Sequence, residues 1–176
     1  MKNIADHVLD IVQNSIDAGA KKVQIELIYK EKELLFTVED DGKGMDEETL
    51  QKAKDPFFTT RSSRKVGLGL ALLQNNCEKT GGNLQIRSKP GEGTKLEAVM
   101  QTDSIDRIPK GDIAGAVSML ICNHPSVALF FYHQEDSKLF ETNSTALSMA
   151  LHPIPLDHPT ARKGVRQLIE SNILCV

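Results

Sequence analysis

The stretch "TVEDDGKGMD", residues 37–46, carries a strand pattern that ends on an aspartate and continues with two glycines. Side chains alternate between the two faces of a strand, so Asp40 lies on the same face as Leu34, Phe36 and Val38. Because those three side chains are apolar, this face is predicted to be buried. A buried carboxylate needs a hydrogen-bond donor or a ligand. The alternative is a turn with a solvated aspartate, since Asp-Gly is a common turn pair.

The residues around Asp40 suit a flat aromatic ligand. An exocyclic amine, such as N6 of adenine, would donate a hydrogen bond to the Asp40 carboxylate. Gly42 and Gly44 let the backbone approach a ring closely, and Met45 offers an adaptable apolar contact. The stretch therefore favours an adenine site if the rest of the chain can hold a nucleotide.

Periodicity along the chain predicts a mixed fold. Apolar residues recur at helical spacing over residues 4–18 and alternate over 22–29 and 33–40. A second long helix is predicted over 67–80, and two further strands follow it over 83–101. This order predicts an α+β two-layer sandwich, in which a mostly antiparallel sheet is covered by helices on one face.

A polar segment with proline and glycine, near residues 102–112, predicts a boundary. We therefore expect a first domain over residues 1–103 and a small C-terminal α+β region over 104–176. The helices predicted in the second part are amphipathic, which indicates an ordered region rather than a tail.

The first helix carries a polar stripe. Asp10, Asn14 and Asp17 are spaced by four and three residues, so they share one face. The amide oxygen of Asn14 could take one position on Mg²⁺, with water and phosphate oxygens completing the shell. Asp10, one turn earlier, could accept a proton from an attacking group. The alternative is an exposed stripe with no ligand.

The stretch "RKVGLGLALLQ", residues 64–74, leads through glycines directly into a helix. Unpaired N–H groups and the helix dipole attract anions at such a helix start, which suits a polyphosphate. Arg61, Arg64 and Lys65 add positive charge. The alternative is an ordinary helix start preceded by solvated basic residues.

Composition excludes some classes of function. The chain has 176 residues, a net charge of -3 and 26% charged residues, so it lacks the basic balance of a general nucleic-acid binder. No apolar run approaches the about 20 residues of a membrane span, and the first residues lack a signal-peptide pattern. We therefore expect a cytoplasmic protein that acts on neither nucleic acid nor membranes. The three cysteines are far apart and predict reduced, buried thiols.

Four stretches taken together resemble, in order, the nucleotide-binding boxes of the GHKL ATPases, whose fold is the Bergerat fold. They are "DIVQNSIDAGA", "DDGKGMD", "PFFTTRSSRKVGLGLALL" and "PGEGTKLEAVM". The resemblance extends from residue 4 to about residue 101. It unites features of mismatch-repair ATPases with those of histidine kinases and anti-sigma kinases. It implies a Bergerat-type sheet, ATP as ligand and Mg²⁺ as its cation.

The resemblance also implies roles for single residues. Asn14 matches the Mg²⁺-binding asparagine, Asp40 the aspartate that binds adenine N6, and Thr94 the threonine that supports adenine through a water. Residues 54–66 match the ATP lid. The other positions that the resemblance places around ATP are Ala18, Gly42, Gly44, Met45, Thr60, Arg61, Lys65, Gly67, Leu68, Gly69 and Leu70.

Two functions follow from this resemblance. The first is a stand-alone signalling protein that phosphorylates or regulates a partner in trans, because only 13 residues precede Asn14 and no upstream acceptor helix is expected. The second is an ATP-gated binding module with little turnover. The partner is expected to dock through the C-terminal region, and a homodimer is compatible with either function. Hydrolysing relatives usually have glutamate where this chain has Asp10, so the shorter side chain predicts slow turnover.

Overall fold

The computed structural model describes residues 1–53 and 68–173, without the side chain of Leu68. The helices, numbered in chain order, are α1 (Ile4–Asp17), α2 (Glu47–Ala53), α3 (Leu68–Lys79), α4 (Ile113–Asn123), α5 (Ser144–Leu151) and α6 (Pro159–Ile173). The strands are β1 (Lys22–Lys30), β2 (Glu33–Asp40), β3 (Asn83–Lys89), β4 (Gly93–Gln101), β5 (Ala128–Glu135) and β6 (Lys138–Asn143). None of the described helices is both long and apolar enough to cross a membrane.

The six strands form one sheet in the order β3-β4-β2-β1-β5-β6. Four of its neighbouring pairs are antiparallel, and only the pair of β1 and β5 is parallel. The turns between β1 and β2, β3 and β4, and β5 and β6 are short, which suits antiparallel neighbours. The predicted α+β fold with a mostly antiparallel sheet is therefore confirmed.

One face of the sheet carries the core. Alternation along β1, β2 and β5 places residues such as Leu27, Phe36 and Phe131 on this face, and each is at most 1% exposed. They form a single apolar cluster with residues of α1, α3, α4, α5 and α6. On the opposite face Lys95 pairs with Glu39 at 3.7 Å and with Glu97 at 3.5 Å. The helices therefore cover one face, and the other carries charged side chains.

The C-terminal elements continue the same sheet and core. β5 pairs with β1 in register from Lys22 opposite Ala128 to Tyr29 opposite Glu135. Helix α4 is almost entirely buried, because it packs against α1 on one side and α6 on the other. The division of the chain near residue 103 stays a prediction, since the residues on the two sides of it share one sheet.

The start of α1 is held by the segment that leads into α4. Asn3 caps α1 by accepting from the N–H of Asp6 at 2.9 Å. The N–H groups of Ile4 and Ala5 donate to the carbonyl groups of Pro109 and Lys110, both at 3.0 Å. N–H groups in the first turn of a helix have no acceptor within the helix. The segment around residue 110 therefore supplies the acceptors for Ile4 and Ala5.

A fragment of residues 1–103 tests whether the first part of the chain folds alone. It would expose the edge of β1 and the face of α1 that α4 covers, and it would lose the acceptors at the start of α1. Its free energy of unfolding should be several kcal/mol lower than that of the whole chain, as measured by urea unfolding. A cooperative transition at the parent's midpoint would contradict this and would support residues 1–103 as an independent domain.

Candidate functional site

Asp40 ends β2 and is held from two directions. It lies opposite Val23 of β1 and Thr94 of β4, on the helix-covered face of the sheet, and it is half-buried. Its Oδ2 accepts from the hydroxyl of Ser15 at 2.6 Å, and its Oδ1 accepts from the N–H of Gly42 at 2.9 Å. Each carboxylate oxygen can accept further hydrogen bonds. The carboxylate therefore has a fixed orientation and retains capacity for a ligand's donor.

The turn after Asp40 is packed tightly against two other parts of the chain. The N–H of Lys43 donates to the carbonyl of Ala18 at 3.0 Å, and the carbonyl of Lys43 accepts from the N–H of Gly91 at 2.7 Å. Gly44 has a φ of 64°, and a Cβ there would lie 1.9 Å from the carbonyl oxygen of Lys89. Glycine is therefore required at position 44, because the β3–β4 turn lies too close to leave room for a side chain.

Asp41, beside this turn, has a structural role of its own. Its Oδ1 accepts from the N–H groups of Lys21 and Lys22 at 2.7 and 2.8 Å. Backbone hydrogen bonds, led by the one from Lys22, lower the pKa of the Asp41 carboxyl. Of the two neighbouring aspartates, Asp41 thus joins the start of β1 to the turn, and Asp40 faces the core side.

A hydroxyl network lies at the other side of Asp40. Ser88 and Thr94 approach each other at 2.8 Å between Oγ and Oγ1. The Ser88 hydroxyl also accepts from the N–H of Met45 at 2.8 Å and lies 2.9 Å from the carbonyl of Gly93. When Ser88 donates to that carbonyl, the Thr94 hydroxyl donates to Ser88. The predicted site residues Met45 and Thr94 are thus connected through Ser88, which the sequence did not indicate.

Helix α1 brings Asp10, Asn14 and Ala18 along one side, one turn apart. The Asn14 amide donates to Asp10 Oδ2 at 3.4 Å, and the N–H of Ala18 donates to the Asn14 carbonyl at 2.9 Å. Asn14 is exposed, whereas Asp10 and Ala18 are half-buried. Ala18 also lies next to Gly42, where a Cβ would be 3.3 Å from the Ala18 Cβ. The C-terminal end of α1 therefore meets the turn after Asp40.

The start of α3 meets α1 at Asp10. A Cβ on Gly69 would lie 1.9 Å from Oδ2 of Asp10, so only glycine permits this approach without displacement of the carboxylate. Leu70, the next residue, packs partly buried against the core. The structure thus joins the predicted catalytic residue Asp10 to the predicted phosphate-side residue Gly69.

Part of the predicted site lies outside the described residues. This holds for the lid over residues 54–66 and for the expected ATP-contacting residues Thr60, Arg61, Lys65 and Gly67. Leu68 begins α3, but its side chain is not described. Their roles stay predictions.

His7 connects α1 to α3 and was not predicted as a site residue. It is fully buried, and its Nε2 lies 3.0 Å from the amide nitrogen of Asn76 in α3. When Asn76 donates to Nε2, the proton of the neutral ring is on Nδ1, which has no hydrogen-bond partner among the described residues. Burial, reinforced by the positive N-terminus and opposed by Asp6, lowers the pKa of His7 to about 4. His7 is therefore a neutral bridge between the two helices.

A cleft of about 390 Å³ opens between α1 and α4. Its walls include Leu9 and Asp10 from α1 and Met119 and Leu120 from α4. Met119 is 38% exposed, which leaves an apolar surface accessible beside the Asp10 carboxylate. The C-terminal region therefore contributes one wall of a cleft that reaches a predicted site residue.

The described residues contain no group of three or more histidine, cysteine, aspartate or glutamate side chains that could hold a metal ion. A cation at this site would have to take most of its oxygen ligands from water and from the ligand itself. This is how Mg²⁺ is usually bound with nucleotides, with only one or two protein ligands. A single amide oxygen from Asn14 fits that pattern.

Comparison with known proteins adds independent information. The family described as "Histidine kinase-, DNA gyrase B-, and HSP90-like ATPase" matches residues 3–104. The chain is 28% identical over 165 residues to the DNA mismatch repair protein MutL of Thermus thermophilus. This alignment covers 77% of this chain and 30% of that protein. It is 35% identical over 104 residues to the sensor histidine kinase YcbM of Bacillus subtilis, covering 54% of this chain and 33% of the kinase.

A third relative is the signal transduction histidine-protein kinase AtoS of Escherichia coli. It is 32% identical over 96 residues, which cover 53% of this chain and 16% of AtoS. The chain thus spans a third or less of the length of these three relatives.

Acid should destabilise the protein through His7. The unfolded histidine binds a proton below about pH 6.5, whereas the folded one does so only near pH 4. The stability that the neutral His7 contributes is therefore fully present above about pH 6.5 and is lost as pH falls from 6.5 toward 4. Between about pH 7 and pH 5 the loss from His7 should be about 2 kcal/mol. His7→Gln keeps an acceptor for Asn76 but does not titrate, so urea unfolding should show a smaller pH dependence.

The matched control for this prediction is His152→Gln, because it makes the same substitution at an exposed histidine outside the contact of α1 with α3. Burial also lowers the pKa of His133, and that contribution is common to all three proteins. The same loss of stability in His7→Gln and in the parent would contradict the prediction.

Proposed function

Because the chain belongs to the family of histidine kinase-, DNA gyrase B- and HSP90-like ATPases, we propose that it binds Mg-ATP beside α1 and uses it to phosphorylate or regulate a partner protein. The observation that carries the proposal is the Asp40 carboxylate. It is half-buried at the end of β2, oriented by the donors of Ser15 and Gly42, and still able to accept. An amino group at position 6 of a purine is the donor that this carboxylate fits.

The adenine end of the proposed site lies between the turn after Asp40 and the hydroxyl network of β3 and β4. Gly42 and Gly44 keep the turn narrow, Met45 offers apolar surface, and Thr94, the strand partner of Asp40, supplies a hydroxyl. Adenine needs flat contact on its faces and a few polar groups at its edge. The turn after Asp40 and the start of β4 together provide the flat contact and the polar groups.

The phosphate end of the proposed site lies at Asn14, Asp10 and the start of α3. Asn14 would hold Mg²⁺ through its amide oxygen, and the glycine-led start of α3 would bind phosphate oxygens through N–H groups. Ala18 lies between the two ends. Thr60, Arg61, Lys65, Gly67 and Leu68 are proposed to complete the phosphate side.

Asp10 is the proposed catalytic residue. Bound Mg-ATP would supply an activated phosphoryl group, and the Asp10 carboxylate would accept the proton of the attacking group. Its Oδ2 already lies against Gly69, at the start of the helix proposed to bind the phosphates. This closeness supports the assignment of Asp10 rather than Asp17, which accepts from Gln13 at 2.8 Å.

The acceptor of a kinase reaction is proposed to lie on a partner. Among the described histidines, His7 and His133 are buried, and the three others each precede a proline in a turn or at a helix boundary. None of them lies on an exposed helix face as an acceptor would. The cleft between α1 and α4 would give a partner segment a route to Asp10, so the C-terminal region is the proposed docking element.

An ATP-gated binding module is the second candidate. The alignment with the mismatch repair protein covers 77% of this chain, more than residues 3–104 can supply, whereas those with the two kinases cover about half. This wider similarity includes residues outside the ATPase family match. Because that relative is named for DNA mismatch repair and not as a kinase, the wider similarity is compatible with a function in which nucleotide binding changes how the chain contacts a partner, with little turnover.

Asp40→Asn should weaken ATP binding roughly 10- to 100-fold, the range expected when a hydrogen bond to a charged group is lost. Isothermal titration with and without Mg²⁺ measures the affinity, and thermal unfolding checks that the variant is folded. Asp46→Asn is the matched control, because Asp46 is exposed, caps α2 through the N–H of Thr49, and asparagine caps equally well. A folded Asp40→Asn variant with the parent's affinity would remove the basis of the proposal.

Single-turnover ADP release should separate the two candidates. Asp10→Asn should lower turnover at least 10-fold and change ATP affinity by less than about 3-fold, because the residue acts on the attacking group. Asp10→Glu should release ADP faster than the parent, since it restores about 1.5 Å of reach. If Asp10→Asn and the parent release ADP at one rate, Asp10 is not the base and the binding module is favoured.

A further inference from the structure

Ser15 is a buried serine in the last turn of α1, 6% exposed. Its hydroxyl has one proton and two acceptors within reach, the carbonyl of Ile11 at 3.3 Å and Oδ2 of Asp40 at 2.6 Å. The shorter contact has the length of a hydrogen bond from a hydroxyl to a charged oxygen, which is the stronger kind. The proton therefore belongs to the bond with Asp40, and the contact with Ile11 is secondary.

This bond joins two elements that are far apart in the chain. Ser15 lies in α1, and Asp40 lies 25 residues later at the end of β2. The other donor to the carboxylate, the N–H of Gly42, belongs to the turn next to Asp40 itself. The side-chain torsion that turns an aspartate carboxylate is otherwise broad. Ser15 is therefore the contact that relates the plane of the carboxylate to α1, along which the nucleotide is proposed to lie.

We infer that Ser15 is a positioning residue that sets the base specificity of the site, because its hydroxyl holds Asp40 in the orientation that accepts from a 6-amino purine. This inference rests on the proposed function. A 6-oxo purine would place a carbonyl oxygen against the fixed carboxylate, where two acceptors face each other. Without the Ser15 hydroxyl, Oδ2 loses the donor that α1 supplies, and the carboxylate can turn about the hydrogen bond that it accepts from the N–H of Gly42.

A cycle of two proteins and two ligands tests this role. The affinities of the parent and of Ser15→Ala are measured for ATP and for the triphosphate of purine riboside, which lacks the 6-amino group. Ser15→Ala should weaken ATP binding roughly 10-fold and should change binding of the analogue by less than about 2-fold. The preference for ATP over GTP should narrow in the same variant.

Two further variants control the experiment. Ser118→Ala removes the hydroxyl of another buried helix serine, which donates to the carbonyl of Gly115 in α4, and it should leave both affinities unchanged. Ser15→Thr keeps a hydroxyl and should retain the preference for ATP over the analogue. Ser15→Cys is nearly isosteric and its thiol is a weak donor, so it gives the same test if Ser15→Ala does not fold.

The outcomes are distinguishable. Equal loss for ATP and for the analogue would make Ser15 a structural residue and would overturn the inference, as would unchanged ATP affinity in Ser15→Ala. A parent protein that does not bind ATP would overturn the proposed function itself, and this is seen before any variant is compared.

Discussion

The docking of α1 is the constraint on which the site depends. At its start, the helix donates to the carbonyl groups of Pro109 and Lys110. In its first turns His7 contacts Asn76 of α3, and near its end Ser15 bonds Asp40 of β2. Each contact joins α1 to a different segment, so together they hold the helix against the sheet. Because Asp10 and Asn14 are on the same helix, their positions relative to Asp40 are set by these bonds.

This arrangement separates the recognition proposed for the base from the chemistry proposed for the phosphates. Asp40 lies at the end of β2, whereas Asp10 lies about one and a half turns from Ser15 toward the start of α1. The two ends share a rigid helix, but they use different side chains and different neighbours. The side chain of Asp10 can therefore be changed with little effect on the groups that hold Asp40.

Much of the fold followed from local pattern, and the exceptions have a common physical reason. The alternation of Leu34, Phe36 and Val38 placed Asp40 on the covered face, and the structure agrees. The pairing of β1 with β5 was not predicted, because it joins residues about a hundred positions apart and leaves no local periodicity. The role of Ser15 was missed for the same reason, since its partner lies 25 residues away. For Ser15 a signal did exist, because a serine four residues after Ile11 shares its buried helix face.

The bonds from Ile4 and Ala5 to the segment around residue 110 make the start of α1 a point of thermodynamic coupling. Any ligand that binds one position of this segment more tightly than another also biases the position of α1. The free energy of such a preference is shared reciprocally between the two sites. A ligand with such a preference would act on the helix that carries Asp10 without contacting the proposed nucleotide site. The segment between β4 and α4 is accordingly joined to α1 by hydrogen bonds and to the C-terminal elements by the chain itself.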